Sequence, residues 1–453
     1  MKGVDSKRNL LTIQASKPKP LNLTQDMSRI TQIWAREILD SRGEPTVETV
    51  IRLDSGLTAV ASVPEGASLG KHEATELRDG DEKRFAGKGV LKAVSNVNEK
   101  IGPAVIGMDP TDQIGIDQRI LSLDTSPNKG TLGANAILSV STAVTKAGAM
   151  AGQVPLYIWV NQLAQAVKAA EGPIGRIPTP VFNMINGGLH GAGNLDFQEF
   201  QVIPATSKPF SLALQSSVEV YYQIKEALIR RGAIHSVGDE GGYAPNLFTN
   251  TDALEIDLEA IKEAGYQVGQ DFFLGLDVAG NVIHKNGGYS IKDRSNSLNS
   301  SSLTTYYEEI NETYRLTYIE DPFHEEDWEA WKNLTAKIGD KTMIVGDDLL
   351  ATNPERVKKA IEEKACNAIL VKPNQIGTIT ETLFVIKQAR EVGWKVIISH
   401  RSGETNDWFI ADFAVGVKSD YVKFGAPARG ERIVKYNRLW TIEQELAASQ
   451  PKP

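Results

Sequence analysis

Short apolar runs that each end in an ionisable residue recur through the C-terminal half of this chain, and they constrain its fold more than any other feature. Phe272-Phe273-Leu274-Gly275-Leu276 runs into Asp277, and Leu316-Thr317-Tyr318-Ile319 runs into Glu320. Met343-Ile344-Val345-Gly346 leads to Asp347, Ala368-Ile369-Leu370-Val371 to Lys372, and Val396-Ile397-Ile398-Ser399 to His400. From Glu320 to Lys423 these residues follow one another roughly every 25 positions, room for one strand and one helix. Buried parallel strands read as unbroken apolar runs, and a closed βα repeat gathers every strand end on one face. Three carboxylates and two lysines then meet in one pocket, which stability alone does not require.

Composition narrows the class. The 453 residues suffice for two or three domains, and 41% hydrophobic with 23% charged content is ordinary for a globular protein. A net charge of −8 argues against a nucleic-acid partner or an anionic membrane surface, but leaves room for a small anionic ligand held by local cations. The single cysteine, Cys366, excludes an intrachain disulfide and points to a reducing, cytoplasmic location, where it reads as a packed core thiol. No apolar run approaches the roughly 18 residues of a membrane span. Residues 1–28 are polar, contain Lys17-Pro18-Lys19-Pro20 and lack the apolar core of a secretory signal. They read as a disordered extension, with Met27 as an alternative initiator.

Residues 29–170 read as a smaller α+β domain. Runs at 30–39, 46–53 and 57–63, separated by Asp40-Ser41-Arg42-Gly43 and Asp54-Ser55-Gly56, predict a three-stranded antiparallel meander. Val90, Leu91, Val94, Val97 and Ile101 predict one apolar helix face, and the Ala/Gly/Ser-rich 133–152 predicts a closely packed helix. Glu171-Gly172-Pro173-Ile174-Gly175 reads as a linker to a β/α barrel of the TIM type over 171–453. In it, 180–185 reads as one strand and 293–302 as a surface loop.

The candidate chemistry follows from residue type. Asp277, Glu320 and Asp347 are hard oxygen donors, suited to Mg²⁺ and not to zinc or copper; singly, each would be read as a helix cap. Lys372 after an apolar run, beside such cations, should have a depressed pKa and serve as a general base. Gln198-Glu199 and Gly238-Asp239-Glu240-Gly241-Gly242 place two glutamates that cannot both ionise easily, so one keeps a proton. Arg401 and Ser402 offer a planar fork and a hydroxyl for phosphate, unless Arg401 pairs with Glu404 or another barrel acid. Lys423 adds a cation. His190 lies in a glycine-rich loop that can close over a site, and Ser68, in Glu65-Gly66-Ala67-Ser68-Leu69-Gly70, reads as part of a lid.

In order, Ser41-Arg42-Gly43-Glu44-Pro45-Thr46-Val47-Glu48, Leu132-Gly133-Ala134-Asn135-Ala136, Gly238-Asp239-Glu240-Gly241-Gly242, Ile319-Glu320-Asp321-Pro322-Phe323, Lys372-Pro373-Asn374-Gln375-Ile376-Gly377-Thr378 and Ser399-His400-Arg401-Ser402-Gly403-Glu404-Thr405 resemble the signatures of the enolase family. The resemblance spans about residues 30–446. It implies a Mg²⁺-dependent hydro-lyase with two ions per site, interconverting 2-phosphoglycerate and phosphoenolpyruvate, in a homodimer or larger homo-oligomer. It implies that Asp277, Glu320 and Asp347 hold the first ion and that Ser68 contributes to the second. Lys372 then removes the C2 proton, Glu240 protonates the C3 hydroxyl, Glu199 and His190 assist, and Gln198, His400, Arg401, Ser402 and Lys423 hold substrate.

The chain departs from the family pattern in places. Glu65 and Leu69 flank the lid motif, Asn281 stands where a glutamate is usual, and Thr441 stands where an arginine usually pairs across a dimer with the residue matching Glu48. The C-terminal Pro453, in place of lysine, weakens any carry-over of lysine-dependent surface binding. Two other readings remain: a dehydratase or racemase of the same superfamily acting on another carboxylate, and a non-catalytic relative with a structural or surface-binding role.

Overall fold

The computed structural model describes residues 28–66, 70–191 and 195–449; Ser68 and nearly all of the 1–28 segment lie outside them. Ser28 is described, and its hydroxyl donates to Asp54 at 3.0 Å.

The N-terminal sheet is the expected meander: β1 (Ile30–Leu39), β2 (Pro45–Leu53) and β3 (Thr58–Ser62), all antiparallel. The first turn forms because Asp40 Oδ1 accepts from the backbone of Arg42 and Glu44, while Gly43 takes a left-handed φ of +75°. Helix Ala134–Ala151 lies on the sheet almost wholly buried, its small side chains letting the backbones approach, and Thr49 and Ser139 share a hydroxyl contact of 2.7 Å. Helix Leu91–Asn96 continues into a π turn, Val97–Ile101, and its buried stripe is Val90, Ala93, Val97 and Ile101. Leu91, expected on that face, is one position off the stripe and half exposed.

The remainder builds a nearly closed nine-stranded barrel. Its strands are β4 (Thr179–Pro180), β5 (Phe182–Asn186), β6 (Glu199–Pro204) and β7 (Phe272–Asp277). A small hairpin of β8 (His284–Lys285) and β9 (Gly288–Tyr289) stands apart from the barrel. The barrel resumes with β10 (Tyr318–Glu320), β11 (Met343–Gly346), β12 (Ala368–Val371), β13 (Lys395–Ser399) and β14 (Tyr421–Lys423). From β7 through β10–β14 to β4 neighbouring strands are parallel. The exception is β6, antiparallel to both β5 and β7. The expected single strand over 180–185 is therefore two: β4 pairs with β14 at one end of the sheet order and β5 with the reversed β6 at the other. The expected loop over 293–302 is shorter, because Asn299 caps a helix that begins at Ser300.

Alternation divides the core. Tyr318, Val345, Ala368, Leu370 and Ile397 fill the barrel interior, whereas Ile319, Ile344, Ile369, Val371 and Ile398 pack under the helices. Cys366 is a buried free thiol, as expected, and burial pushes its pKa up. The meander side of the molecule is pinned to the barrel by buried polar contacts. Thr380 donates its backbone N–H (3.0 Å) and hydroxyl (2.6 Å) to Asp117, and Lys146 pairs with Asp407 at 2.7 Å. Glu65 and Gly403 exchange two backbone hydrogen bonds. Among the described residues no helix is long and apolar enough to cross a membrane.

Candidate active site

Ladder register brings Asp277, Glu320 and Glu199 together, whereas Asp347, the third acid expected at the metal, groups with Asp321 and Asp348. Glu320 is the parallel partner of Asp277, and Glu199 is the antiparallel partner of the same Asp277. Glu199 reaches the barrel mouth from the start of β6 and not from a strand's C-terminal end, because that strand runs backwards. Asp347, Lys372 and His400 follow the last residues of β11, β12 and β13, and Lys423 ends β14. Glu240 arrives on the loop between helices Phe210–Arg230 and Asn250–Glu263. That loop is tied down by Tyr221, whose hydroxyl donates to the Gly241 carbonyl at 2.7 Å, and by the Ala426 N–H donating to the Glu240 carbonyl at 2.9 Å. Gly241 has a φ of +88°, and a Cβ there would come within 2.9 Å of the Ala428 carbonyl oxygen.

The floor of the site is an all-oxygen cluster threaded by two ammonium groups. Lys423 Nζ donates to Asp277 at 2.9 Å and to both oxygens of Glu320 at 2.7 and 2.9 Å, and stands 3.2 Å from Glu199. Burial opposes its charge, but Asp277, Glu199 and Glu320 hold its pKa well above the ordinary lysine value. Even so, burial and repulsion from Asp277 push Glu320 well above the usual carboxylate range. A second group forms where the ligand oxygens of Asp321, Asp347 and Asp348 lie within 4.8 Å of one another. There Asp348 is pushed up to about 7 by burial and by Asp347. This excess of negative charge, the absence of cysteine from the cluster and the ammonium seated among the carboxylates fit a hard divalent cation such as Mg²⁺. Asn281, in place of the usual glutamate, donates to Asp348 at 3.0 Å, so one negative charge fewer stands beside it.

Lys372 Nζ donates to Asp347 Oδ2 at 2.5 Å. Its expected depressed pKa is not found: burial is the largest influence and pulls it down, but the carboxylates around it, Asp347 foremost, together raise it. The expectation assumed cations that would compete for Asp347. A ring of hydrogen bonds fixes the pair. The Lys372 N–H donates to Thr352 Oγ1 at 3.0 Å, and that hydroxyl donates to Gln375 Oε1 at 2.7 Å. Gln375 Nε2 in turn reaches Asp347 Oδ1 at 3.3 Å. Thr352 and the preceding Ala351 both have a φ of +48°, strained for a β-branched residue, so the ring is held against a backbone preference.

On the other wall, Glu240 accepts from Ser402 Oγ at 2.9 Å and from Asn183 Nδ2 at 3.1 Å. His400 Nε2 stands 3.3 Å from it. Arg432 donates to His400 Nδ1 at 2.6 Å, which leaves the imidazole proton on Nε2, facing Glu240. Burial, with help from Arg432, pushes His400 down to about 3, so it is neutral. His190 Nδ1 lies 3.5 Å from Glu199 and 3.6 Å from Glu240. Burial opposes its charge, but these two carboxylates raise its pKa. The two glutamates shift in opposite directions, and Glu240, the acid that the family resemblance implies, is the one shifted down. Burial raises Glu199, and Glu240 adds to this. Burial also acts on Glu240, but the charges around it, His190 first, hold it well below the usual range. Of the two, Glu199 is the one whose proton is the harder to lose.

His400 makes the fold acid-sensitive. Its folded pKa lies below the unfolded value of 6.5, so its contribution to stability is complete above 6.5 and is lost as pH falls toward about 3. Thermal midpoints measured from pH 7 to pH 4 should fall more steeply for the wild-type chain than for His400→Gln; equal slopes would refute this.

The expected anion clamp is only partly assembled. Ser402 is engaged with Glu240, and Gln198 Nε2 donates to Asp277 at 3.3 Å. Arg401 pairs with Glu73 at 2.9 Å, whereas Glu404 accepts from the Arg401 backbone at 3.1 Å. Glu73, Thr352, Gln375 and Arg432 escaped the sequence reading. None ends an apolar run, and only Gln375 lies in a quoted motif. Glu65, noted as a departure, is buried, pairs with Arg78 and anchors Gly403. Glu48 pairs with Arg36 of its own chain at 2.7 Å, and the Thr441 hydroxyl donates to the Asn437 carbonyl.

Comparison with known protein families matches residues 30–160 to the enolase N-terminal domain and residues 175–451 to the enolase C-terminal TIM barrel domain. Together these matches take in most of the sequence, in the order and with the architecture described above. The chain belongs to the enolase family.

Proposed function

We propose that this chain catalyses the reversible dehydration of 2-phosphoglycerate to phosphoenolpyruvate. The observation that carries the reading is one buried cavity lined by Lys372, Glu240, Arg401 and the carboxylates Asp277 and Asp347. This lining supports reading Lys372 as the base, Glu240 as the group that relays a proton and Arg401 as the anion anchor for one small molecule.

Asp277, Glu320 and Asp347 would hold one Mg²⁺, with Ser68 assigned to a second by family resemblance. Bound there, the metal supplies positive charge to the substrate carboxylate as electrons move into it. Lys372, as the free amine once Asp347 is otherwise engaged, takes the hydrogen from C2. The electron pair left on C2 forms the C2–C3 double bond, and the C3 hydroxyl departs as water with a proton delivered through Glu240. Glu199 and His190, whose surroundings favour the proton-bound form, stand within reach of Glu240 to resupply that proton. Arg401 and Ser402 bind the phosphate, and Gln198, His400 and Lys423 line its surroundings. The family's usual assembly supports a homodimer or larger homo-oligomer, formed here without an arginine at position 441.

The phosphate clamp favours this reading over a superfamily dehydratase or racemase for unphosphorylated acids, and the full set of proton-transfer residues favours it over a non-catalytic relative. The test is phosphoenolpyruvate formation from 2-phosphoglycerate with and without chelator. Chelation should abolish it and added Mg²⁺ should restore it. Activity indifferent to chelator would remove the metal assignment, and activity confined to unphosphorylated acids would replace the substrate.

A further inference from the structure

Glu73 lies far from the barrel in sequence, yet its carboxylate spans both terminal nitrogens of Arg401. Oε2 accepts from Nη1 at 2.9 Å and Oε1 from Nη2 at 3.3 Å. The two side chains are 5% and 6% exposed, and both line the cavity that holds Lys372. A carboxylate laid across a guanidinium fork uses the donors with which arginine receives a phosphoryl group.

Arg401 does not depend on Glu73 for its place. Its backbone carbonyl accepts from Arg432 at 2.6 Å, its N–H donates to Glu404 at 3.1 Å, and Asn374 Oδ1 accepts from Nη1 at 3.2 Å. Glu73 is likewise held from its own side, where Oε1 accepts the Gly70 N–H at 3.1 Å. Two independently anchored groups therefore meet as partners, and an incoming anion competes with the one for the other.

We propose that Glu73 is a built-in anion of the Arg401 subsite that sets the charge a ligand must carry to enter it: a phosphoryl dianion displaces the carboxylate, and a monoanion does not. The inference rests on the reading of Arg401 as the phosphate anchor. Glu76 stands nearby, with its pKa pushed up to about 8 by burial and by Glu73. Neutralising Glu73 lets Glu76 ionise and partly replace it, so the test includes the double variant.

The experiment is calorimetric titration of the full-length chain with inorganic phosphate, alone and in the presence of formate. Glu73→Gln should bind phosphate about tenfold tighter than wild type, with a larger gain in Glu73→Gln/Glu76→Gln, and formate should compete in these variants only. A disrupted site would bind more weakly, so the direction separates competition from damage. Unchanged or weaker phosphate binding in both variants, or formate competing equally with wild type, overturns the proposal. Arg401→Gln should abolish phosphate binding; persistence there would overturn the anchor reading itself, and the inference with it, whatever the Glu73 variants do.

Discussion

Replacing Lys372 with alanine should lower turnover of 2-phosphoglycerate by about 10²–10⁴-fold or more, the range typical of losing a positioned acid or base. The same variant should lose exchange of the C2 hydrogen with solvent, because no other lysine in the cavity is placed to substitute. Lys423, the nearest candidate by charge, is held by three carboxylates that keep it protonated. The fold should survive, since the Lys372 side chain packs in no apolar cluster and its removal leaves Asp347 lining an open cavity, still within reach of Gln375. Near-normal turnover, or C2 exchange at the wild-type rate, would strip Lys372 of its role.

Glu240→Gln should cost a comparable factor but at a different step. Glutamine preserves the size of the side chain and can still accept from Ser402, but it cannot pass a proton to a departing hydroxyl. Abstraction at C2 is assigned to Lys372, so C2 exchange should continue while phosphoenolpyruvate formation stops. The substitution also removes a carboxylate that raises the pKa of His190, so that histidine should titrate at lower pH in the variant. Loss of exchange and dehydration together, with the fold intact, would show that Glu240 acts on the first step and not the second.

The parts of this molecule legible in the sequence are those governed by period and position. Apolar runs predicted β7 and β10–β14, and the ionisable residue closing each run marked the mouth, because parallel strands put that end on one face. What escaped depended on chain direction, partner choice or charge state. Nothing in the sequence around Glu199 says that β6 is reversed, so that this carboxylate opens its strand at the mouth is visible only in the ladder. Glu73 meets Arg401 across a gap in sequence that no local pattern encodes. The protonation of Lys372 turns on which neighbour Asp347 serves, a matter of ångströms. Thr352 contributes through a left-handed backbone, which is unexpected at a threonine and invisible to propensity.

The reversed strand has an architectural corollary. In a regular repeat each strand's top is joined to the next strand's bottom, so a change in the connecting segment must traverse the full height of the wall. Here Asn186 closes β5 and Glu199 opens β6 at the same rim. The segment between them, which bears His190, departs from and returns to one level. Bonds from the Gly187 N–H to the Gln198 carbonyl and from the Gly188 N–H to the Leu195 carbonyl clasp its two arms, so the imidazole and the carboxylates beneath it are hung from a single edge of the cask.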